Sequence, residues 1–380
     1  MKIFYVGFYD FQDAEIVREY YVAAVNKMTY ITKVIQEINP DTEIVSISLP
    51  EGNRFFYPHT NIVKQGIKVH FLPFCRLFSH HSLKDRWRSV MFFLHGLLHF
   101  TSNDVVISYH SPSYVTEALV YLRKIKKFKL ILEVEEIYAD LITRFASVLL
   151  KRETYAFENC DGYIFSTELL EKKINKKNLP SVVIYGTYQK DIQARITEDN
   201  LVHVVFAGTF DPRKGCIAAA EAAAYLPDNY IIHICGFGSE EEKNLIKSVV
   251  EKLKDKGYNI NYEGLLKGQD YLDMLHKCQI GLSPQDPNSK FNNTSFPSKI
   301  LSYMSAGLAV VSINIPSIEG SKVGKYICFY DSQIPEEIAK SIMRCDISQG
   351  ERNKDVIASL DADFQREMDR CIQSVREERL

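Results

Sequence analysis

FNNTSFPSKILSYMSAGLAVVS, residues 291–312, runs through a polar loop, a short helical pattern and a β-branched run in that order. Ile300, Leu301, Met304 and Leu308 recur at the spacing of one helix face, Pro297 suits a first turn and Gly307 a helix end. Upstream, Asn292, Asn293, Thr294 and Ser295 form a polar loop able to cap that helix. Downstream, LAVVSI is the kind of run that parallel sheets bury. A helix start carries unpaired N–H groups and a partial positive charge. With hydroxyls at Thr294, Ser295 and Ser298 and an ammonium at Lys299, this start is a candidate diphosphate seat. The stretch alone equally fits an ordinarily capped helix between a loop and a strand.

The same order of loop, helix and strand spreads over the whole chain. KIFYVG reads as a first strand, and a helix follows from about Ala14 to Ile38. EIVSISL, GIKVHFLPF, DVVISYH, FKLILEV, GYIFS and VVIYG then recur as short apolar runs between helical stretches, among them a long one from about Ala139 to Cys160. A polar segment, residues 189–200, carries charges and no apolar period and reads as a linker. From Leu201 a second series begins: VHVVFAG, YIIHICG, INYEG, QIGLS, LAVVSI and YICFY, with helices from Gly215, Glu240 and Gly268 between them. Such alternation predicts an α/β fold with parallel sheets covered by helices on both faces. The expected division is residues 1–188, the linker, residues 201–335, and a charged helical segment over 336–380.

Composition agrees. At 380 residues the chain exceeds the usual size of one core. A net charge of −2 excludes a mainly electrostatic partner such as nucleic acid. The eight cysteines are scattered with no CxxC pair, which favours single buried thiols in a reducing cytoplasm over a disulfide frame or a metal site. The sequence enters a strand at once, and no segment reaches the roughly 20 apolar residues needed to span a bilayer. In residues 75–100, Arg76, Lys84, Arg86 and Arg88 precede an apolar run with the only tryptophan, Trp87. This reads either as an interfacial helix near anionic lipid on the inner face of a membrane, or as a buried helix behind a basic loop.

Open parallel sheets bind ligands at the carboxyl ends of their strands, so strand tips hold the candidate chemistry. After DVVIS come Tyr109, His110, Ser111 and Pro112; after KLILEV come Glu135 and Glu136. An imidazole at one tip and carboxylates at the next can bind sugar hydroxyls, and one carboxylate can deprotonate an acceptor hydroxyl. A helix cap or surface pair is the other reading. Asn26 and Lys27 interrupt an apolar helix face and read either as acceptor or phosphate contacts or as part of a solvated face. In AGTFDPRKG, Arg213 and Lys214 offer two cations to a departing diphosphate, unless the turn is merely solvated. CGFGS is too short for a dinucleotide fingerprint, which leaves Gly236 as a strand-end candidate on the nucleotide side.

The 291–312 stretch resembles the donor-binding segment of nucleotide-sugar glycosyltransferases of the GT-B fold, two facing Rossmann-like domains, and most closely the family-four type. Aligned on Gly307, Thr294 and Ser302 stand where that family has two glutamates. SFPSKI followed by an aromatic residue and AGL resembles a divergent branch of bacterial glycan-assembly transferases. The usual arginine after Gly208 is replaced by Thr209, while Lys214 and Gly215 match the family's Lys-Gly. The resemblance implies that His110 and Glu136 face donor sugar and acceptor, that Gly264 and Leu265 frame the base, and that Ser283 and Pro284 line the donor cleft. It implies a final helix returning to the first domain.

The activity implied is transfer of a sugar from a nucleoside diphosphate donor to a hydroxyl of a glycan or lipid-linked acceptor, with retention, in bacterial surface polysaccharide or glycoconjugate assembly. No metal or other cofactor is expected, because Lys214, Arg213 and the helix start can do the work of a divalent ion. The alternatives are a catalytically silent subunit of the same fold, motivated by the absent glutamates, and a nucleotide-sugar epimerase or phosphorylase.

Overall fold

The computed structural model describes residues 1–11, 14–78, 80–110, 114–141, 146–193, 199–289, 292 and 294–377. The chain divides into two units, Met1–Thr187 together with the segment from Asp363 on, and Tyr188–Ala362.

The first unit is built on an eight-stranded sheet. Its order is Ser181–Val183, Gly162–Phe165, Lys129–Val134, Val105–Tyr109, Ile3–Gly7, Thr42–Ser46, Ile67–Phe71 and Thr60–Lys64. Every pairing is parallel except the last, a hairpin that adds Thr60–Lys64 to the edge. Ile3–Gly7 and Thr42–Ser46 are buried throughout, which needs cover on both faces and explains why these runs do not alternate polar with apolar. On one side Phe4, Phe92, Phe100, Leu122 and Phe128 form a continuous core, with Phe4 and Phe100 ring centres 4.8 Å apart.

Three local differences from the sequence reading have physical causes. The first helix starts at Val22 and not near Ala14. Asp10 accepts the Phe11 and Arg18 N–H groups at 2.9 Å each, and Glu19 and Glu51 N–H donate to Leu49 and Val17 carbonyls, so the segment before Val22 is held extended. Within the pattern over 139–160, the described residues are helical over Tyr138–Leu141 and Ala146–Glu158. The helix His81–His99 has one buried face, including Arg88 and Phe92, and an opposite face on which Leu83, Val90, Leu94 and Leu98 are exposed. Arg88 is an internal cation bonded to Ile47 O, Asp85 and Glu19, and Trp87 stacks on Phe78 and donates to Pro73 O.

The second unit is a six-stranded parallel sheet in the order Ile260–Gly264, Tyr230–Phe237, Val202–Thr209, Ile280–Ser283, Ala309–Ile313 and Ile327–Tyr330. Numbered along the chain this is 3-2-1-4-5-6, the Rossmann order. Its helices include Glu240–Asp255, which opens with a Ser239/Glu242 capping box worth about 1 kcal/mol. Before the first strand, the Asp191 carboxylate meets the buried His276 Nε2 at 2.6 Å and the Asp191 N–H reaches Ser305 O, so residues near 191 are fastened to this unit. The last helix, Gln349–Glu377, runs through the boundary: Asn353 donates to Leu308 O in the second unit, whereas Phe364 stacks on Tyr30 in the first.

Candidate active site

Strand order in the second unit reverses between Val202–Thr209 and Ile280–Ser283, which opens a crevice at their carboxyl ends. The loop after Thr209 turns at Asp211, whose carboxylate grips the Arg213 guanidinium through Nε at 3.0 Å and Nη2 at 2.6 Å. Those bonds hold the Asp211 carboxyl below its usual range and raise the Arg213 guanidinium. Arg213 is exposed and already matched by Asp211. Gly215 closes the loop at φ +75°, and a Cβ there would lie 1.8 Å from the Pro284 carbonyl oxygen. Only glycine allows both the conformation and the approach. Across this contact the Asp286 N–H donates to Arg213 O at 2.8 Å, while Asn292 accepts from Gln285 and donates to Asp286 O. The loops leaving the two central strands are therefore bound to each other and to Asn292.

Lys299 opens the helix Lys299–Ser305. Tyr303 fixes that helix to the sheet: its fully buried hydroxyl accepts the Ala207 N–H at 2.8 Å and donates to Leu282 O at 3.3 Å. The Lys299 ammonium lies 4.1 Å from the Phe206 ring centre and beside Gly208, where a Cβ would meet it at 2.9 Å. As a residue Lys299 is half-buried, but its charged end is withdrawn against that ring. Burial first, and repulsion from Lys214 second, push this ammonium down to about 7. The structure thus brings Lys214 and Lys299 into electrostatic reach of one another at the crevice.

The remaining residues singled out on the nucleotide side are spread along the same sheet edge. Thr209 ends its strand, and Gly236 pairs in register with Gly208. Ser283 ends the neighbouring central strand with a buried hydroxyl that makes no hydrogen bond among the described residues. Gly264, at φ +69°, ends the outer strand Ile260–Gly264, and the exposed Leu265 follows it. Ser302 is exposed and bonds to Tyr271, whose phenol burial pushes up to about 12. Thr294 and Ser295 are half-buried before the helix. Ser298 stands at the N-cap with helical backbone and makes no side-chain cap bond, because an N-cap side chain reaches back only from extended φ/ψ. Asn293 lies outside the described residues.

In the first unit the order reverses between Ile3–Gly7 and Val105–Tyr109, and beside that point lies a buried polar cluster. Lys27 is 5% exposed, which overturns the solvated-face reading. Its ammonium pairs with Glu135, stands 3.8 Å from Glu133 and donates to Ile184 O at 3.0 Å. Asn26, next to it on the helix, is exposed. Glu133 is fully buried and accepts the Tyr5 hydroxyl; burial, opposed by Lys27, raises its carboxyl to about 8. Burial and then Glu135 push the Tyr109 phenol well up. Glu135 and Glu136 are half-buried at the strand tip.

His110 is 1% exposed. Its Nε2 meets Glu153 Oε1 at 2.9 Å, and Glu153 also accepts the Tyr138 and Ala139 N–H groups at 2.8 and 2.9 Å. This carboxylate orients the imidazole and starts the next helix, leaving Nδ1 without a partner among the described residues. Ser111 and Pro112 lie outside the described residues. Sequence reasoning missed Tyr5, Glu133 and Glu153. The available signal was Glu133 itself, a carboxylate inside the apolar run KLILEV.

Among the described residues no group of three ligand side chains is gathered to hold a metal ion, and no helix is long and apolar enough to cross a membrane.

Residues 201–345 match the family described as Glycosyl transferases group 1. No curated protein matches the sequence. The chain is similar in structure to sucrose-phosphate synthase from Thermosynechococcus elongatus, with a TM-score of 0.70 at 11% identity over 99% of each chain. It is similar to the Anabaena protein HepE in complex with UDP, with a TM-score of 0.66 at 11% identity over 98% of this chain and 100% of that one. An E. coli trehalose-6-phosphate protein bound with UDP-2-fluoro glucose gives 0.65 at 8% identity over 99% of each. At these identities the likeness is one of fold. The chain has the GT-B fold of these glycosyltransferases, and its residues 201–345 match the group 1 glycosyltransferase family.

Proposed function

We propose that this protein transfers a sugar from a nucleoside diphosphate sugar to a hydroxyl of a glycan or lipid-linked acceptor, with retention, in bacterial surface polysaccharide or glycoconjugate assembly. The observation that carries the reading is the place of the Lys299 ammonium, against Phe206 and beside Gly208 at the reversal point of a 3-2-1-4-5-6 sheet, with Lys214 on the loop that leaves the same strand. Cations at a strand-end crevice suit a pyrophosphate, which carries two negative phosphoryl groups. Two proteins of the same fold are described with UDP or a UDP-sugar bound, and a trehalose-6-phosphate synthase is described in terms of glycosyltransfer with retention.

In this scheme the C–O bond between the anomeric carbon and the diphosphate breaks, and Lys214 and Lys299 offset the charge that develops on the leaving group. Thr294, Ser295, Ser298 and Arg213 border that seat, Gly208, Thr209, Gly236, Ser283 and Ser302 the nucleoside, and Gly264 and Leu265 the base. The acceptor hydroxyl binds near Asn26, and its proton passes to Glu135 or Glu136, with His110 as a sugar contact. Lys27 pairs with Glu135 and holds it in place. Glu133, buried and largely protonated at neutral pH, supports this arrangement without touching substrate. No metal is required, because the two ammonium groups occupy the role of a divalent ion. The likeness of the SFPSK turn to that of the divergent glycan-assembly branch supports assigning the chain to it. The exposed Leu83, Val90, Leu94 and Leu98, flanked by Lys84 and Arg86, suit peripheral contact with the inner face of a membrane carrying a lipid-linked acceptor.

A thermal-shift screen of nucleoside diphosphates and their sugars tests the reading. A ligand at a hundred times its dissociation constant stabilises by about 2.7 kcal/mol. Stabilisation by one nucleotide series, lost in Lys214→Ala and Lys299→Ala, supports it. Folded protein that no nucleotide stabilises overturns it, and nucleotide binding without transfer or hydrolysis assigns the silent-subunit alternative.

A further inference from the structure

Of the eight cysteines, Cys160, Cys216, Cys235, Cys278 and Cys371 are buried. Burial raises the thiols of Cys160, Cys216, Cys235 and Cys371, which keeps them protonated and inert. Cys328 and Cys345 differ. Both are half-buried, within reach of a small reagent, and the fold of the second unit brings them together.

Cys328 lies on Ile327–Tyr330, the edge strand of the six-stranded sheet, and Cys345 follows the helix Pro335–Arg344, which packs on that strand. The Cys328 Sγ stands 3.5 Å from the Ser341 carbonyl oxygen. In a helix the carbonyl of one residue points at the position four residues on, which here is Cys345. Arg344 fixes the same junction, its Nη2 donating to the carbonyl of Phe329, the neighbour of Cys328. At this junction the two thiols are hydrogen-bonded to each other. Cys345 itself is past the helix, at a C-cap with extended backbone, so no helical turn restricts its χ1. The hydrogen bond from Cys345, helped by the Arg344 guanidinium and opposed by burial, brings the Cys328 thiol well below its ordinary 9.0, and the same bond raises Cys345. One sulfur is thus an ionised nucleophile and the other a protonated thiol beside it, the division of roles with which a dithiol reacts in two steps.

We propose that Cys328 and Cys345 are a reversible modification site, a dithiol that hydrogen peroxide oxidises to a disulfide, tying the end of the Pro335–Arg344 helix to the edge strand. The Cys328 thiolate attacks one peroxide oxygen: an S–O bond forms, the O–O bond breaks, and the other oxygen leaves as hydroxide and takes a proton to become water. The Cys345 sulfur then attacks the sulfenic sulfur of Cys328. The S–S bond forms, the S–O bond breaks, and a second water leaves with the Cys345 proton. The two sulfurs give up two electrons, and the peroxide is reduced to two waters. A small thiol such as glutathione reverses the step by exchange. This chemistry needs no nucleotide and stands apart from sugar transfer.

The test treats reduced full-length protein with excess hydrogen peroxide, blocks the remaining thiols and maps the peptides by mass spectrometry. A crosslink between the Cys328 and Cys345 peptides, with the loss of two hydrogens and full reversal by dithiothreitol, is expected. In Cys345→Ala no crosslink should form, and oxidation at Cys328 should run on to the sulfinic acid. Without oxidant, alkylation of Cys328 by iodoacetamide at about pH 6.5 should slow at least about tenfold in Cys345→Ala, because the bond that favours the thiolate is gone. Peroxide-treated wild type without a Cys328–Cys345 crosslink overturns the proposal, as does a Cys328 alkylation rate that Cys345→Ala leaves unchanged.

Discussion

The charge on Lys214 reaches the Lys299 ammonium and, together with burial against Phe206, holds it near pH 7 instead of its ordinary 10.5. A diphosphate between them would favour the protonated form, so binding above pH 7 must take up a proton. Nucleotide affinity is therefore expected to fall as pH rises above about 7, approaching tenfold per pH unit. Calorimetry at pH 8 in two buffers of different ionisation enthalpy should show unequal heats for wild type and equal heats for Lys299→Met. Equal heats for both proteins would remove the linkage.

Lys27 neutralises Glu135 and stands beside the buried Glu133, so its loss strands carboxylates away from water. Lys27→Met should destabilise the first unit by about 3 to 5 kcal/mol, read from urea unfolding. A change below about 1 kcal/mol would mean that Lys27 is not the partner its geometry makes it.

Glu133 supplies a pH signature of opposite sense to that of a salt-bridged carboxylate. Its folded value, about 8, lies above the ordinary 4.5, so the folded state holds a proton that the unfolded chain has released. This contribution to stability is fully present below about pH 4.5 and is lost as pH rises through 8. Glu133→Gln, a permanently neutral replacement, should flatten the urea midpoint between pH 5 and 8, with little loss of stability at pH 8. A wild-type profile already flat over that window would refute the assignment.

Gly215→Ala places a Cβ into the Pro284 carbonyl at a positive φ. The loops of the two central strands must then part, with a loss of about 2 kcal/mol or more and of nucleotide binding. Gly208→Ala is milder, because it displaces only the end of the Lys299 side chain. It should reduce nucleotide affinity while leaving the thermal midpoint of the free protein within about 2 °C. A larger loss of stability in Gly208→Ala than in Gly215→Ala would contradict this geometry.

What could be read from sequence was what depends on neighbours in the chain. The β-branched runs mark their strands because burial on both faces leaves no alternation to obscure them, while Lys214 stands out in a strand-end turn and Lys299 at a helix start. Lys27 resisted reading because its partners, Glu133 and Glu135, are on a different strand and become neighbours only when the sheet forms. The helix start at Val22 was hidden for the same reason: the side chain that keeps Arg18 extended belongs to Asp10, across a turn. Ser298, whose hydroxyl stood among the candidates at this helix start, adopts helical backbone at the N-cap and makes no side-chain cap bond, a backbone choice that composition does not reveal.

The Gln349–Glu377 helix serves both units, and from Asp363 on it completes the first: Phe364 lies on Tyr30, Cys371 points to Tyr163 O, and Val375 fills the space over Gly162. On the ribosome, where domains generally fold in order of synthesis, the unit that begins the polypeptide stays uncovered at Tyr30 and Gly162 until residues 363–377 emerge. The part made first is thus finished last, and a nascent chain stalled before Asp363 would present that apolar seam to chaperones.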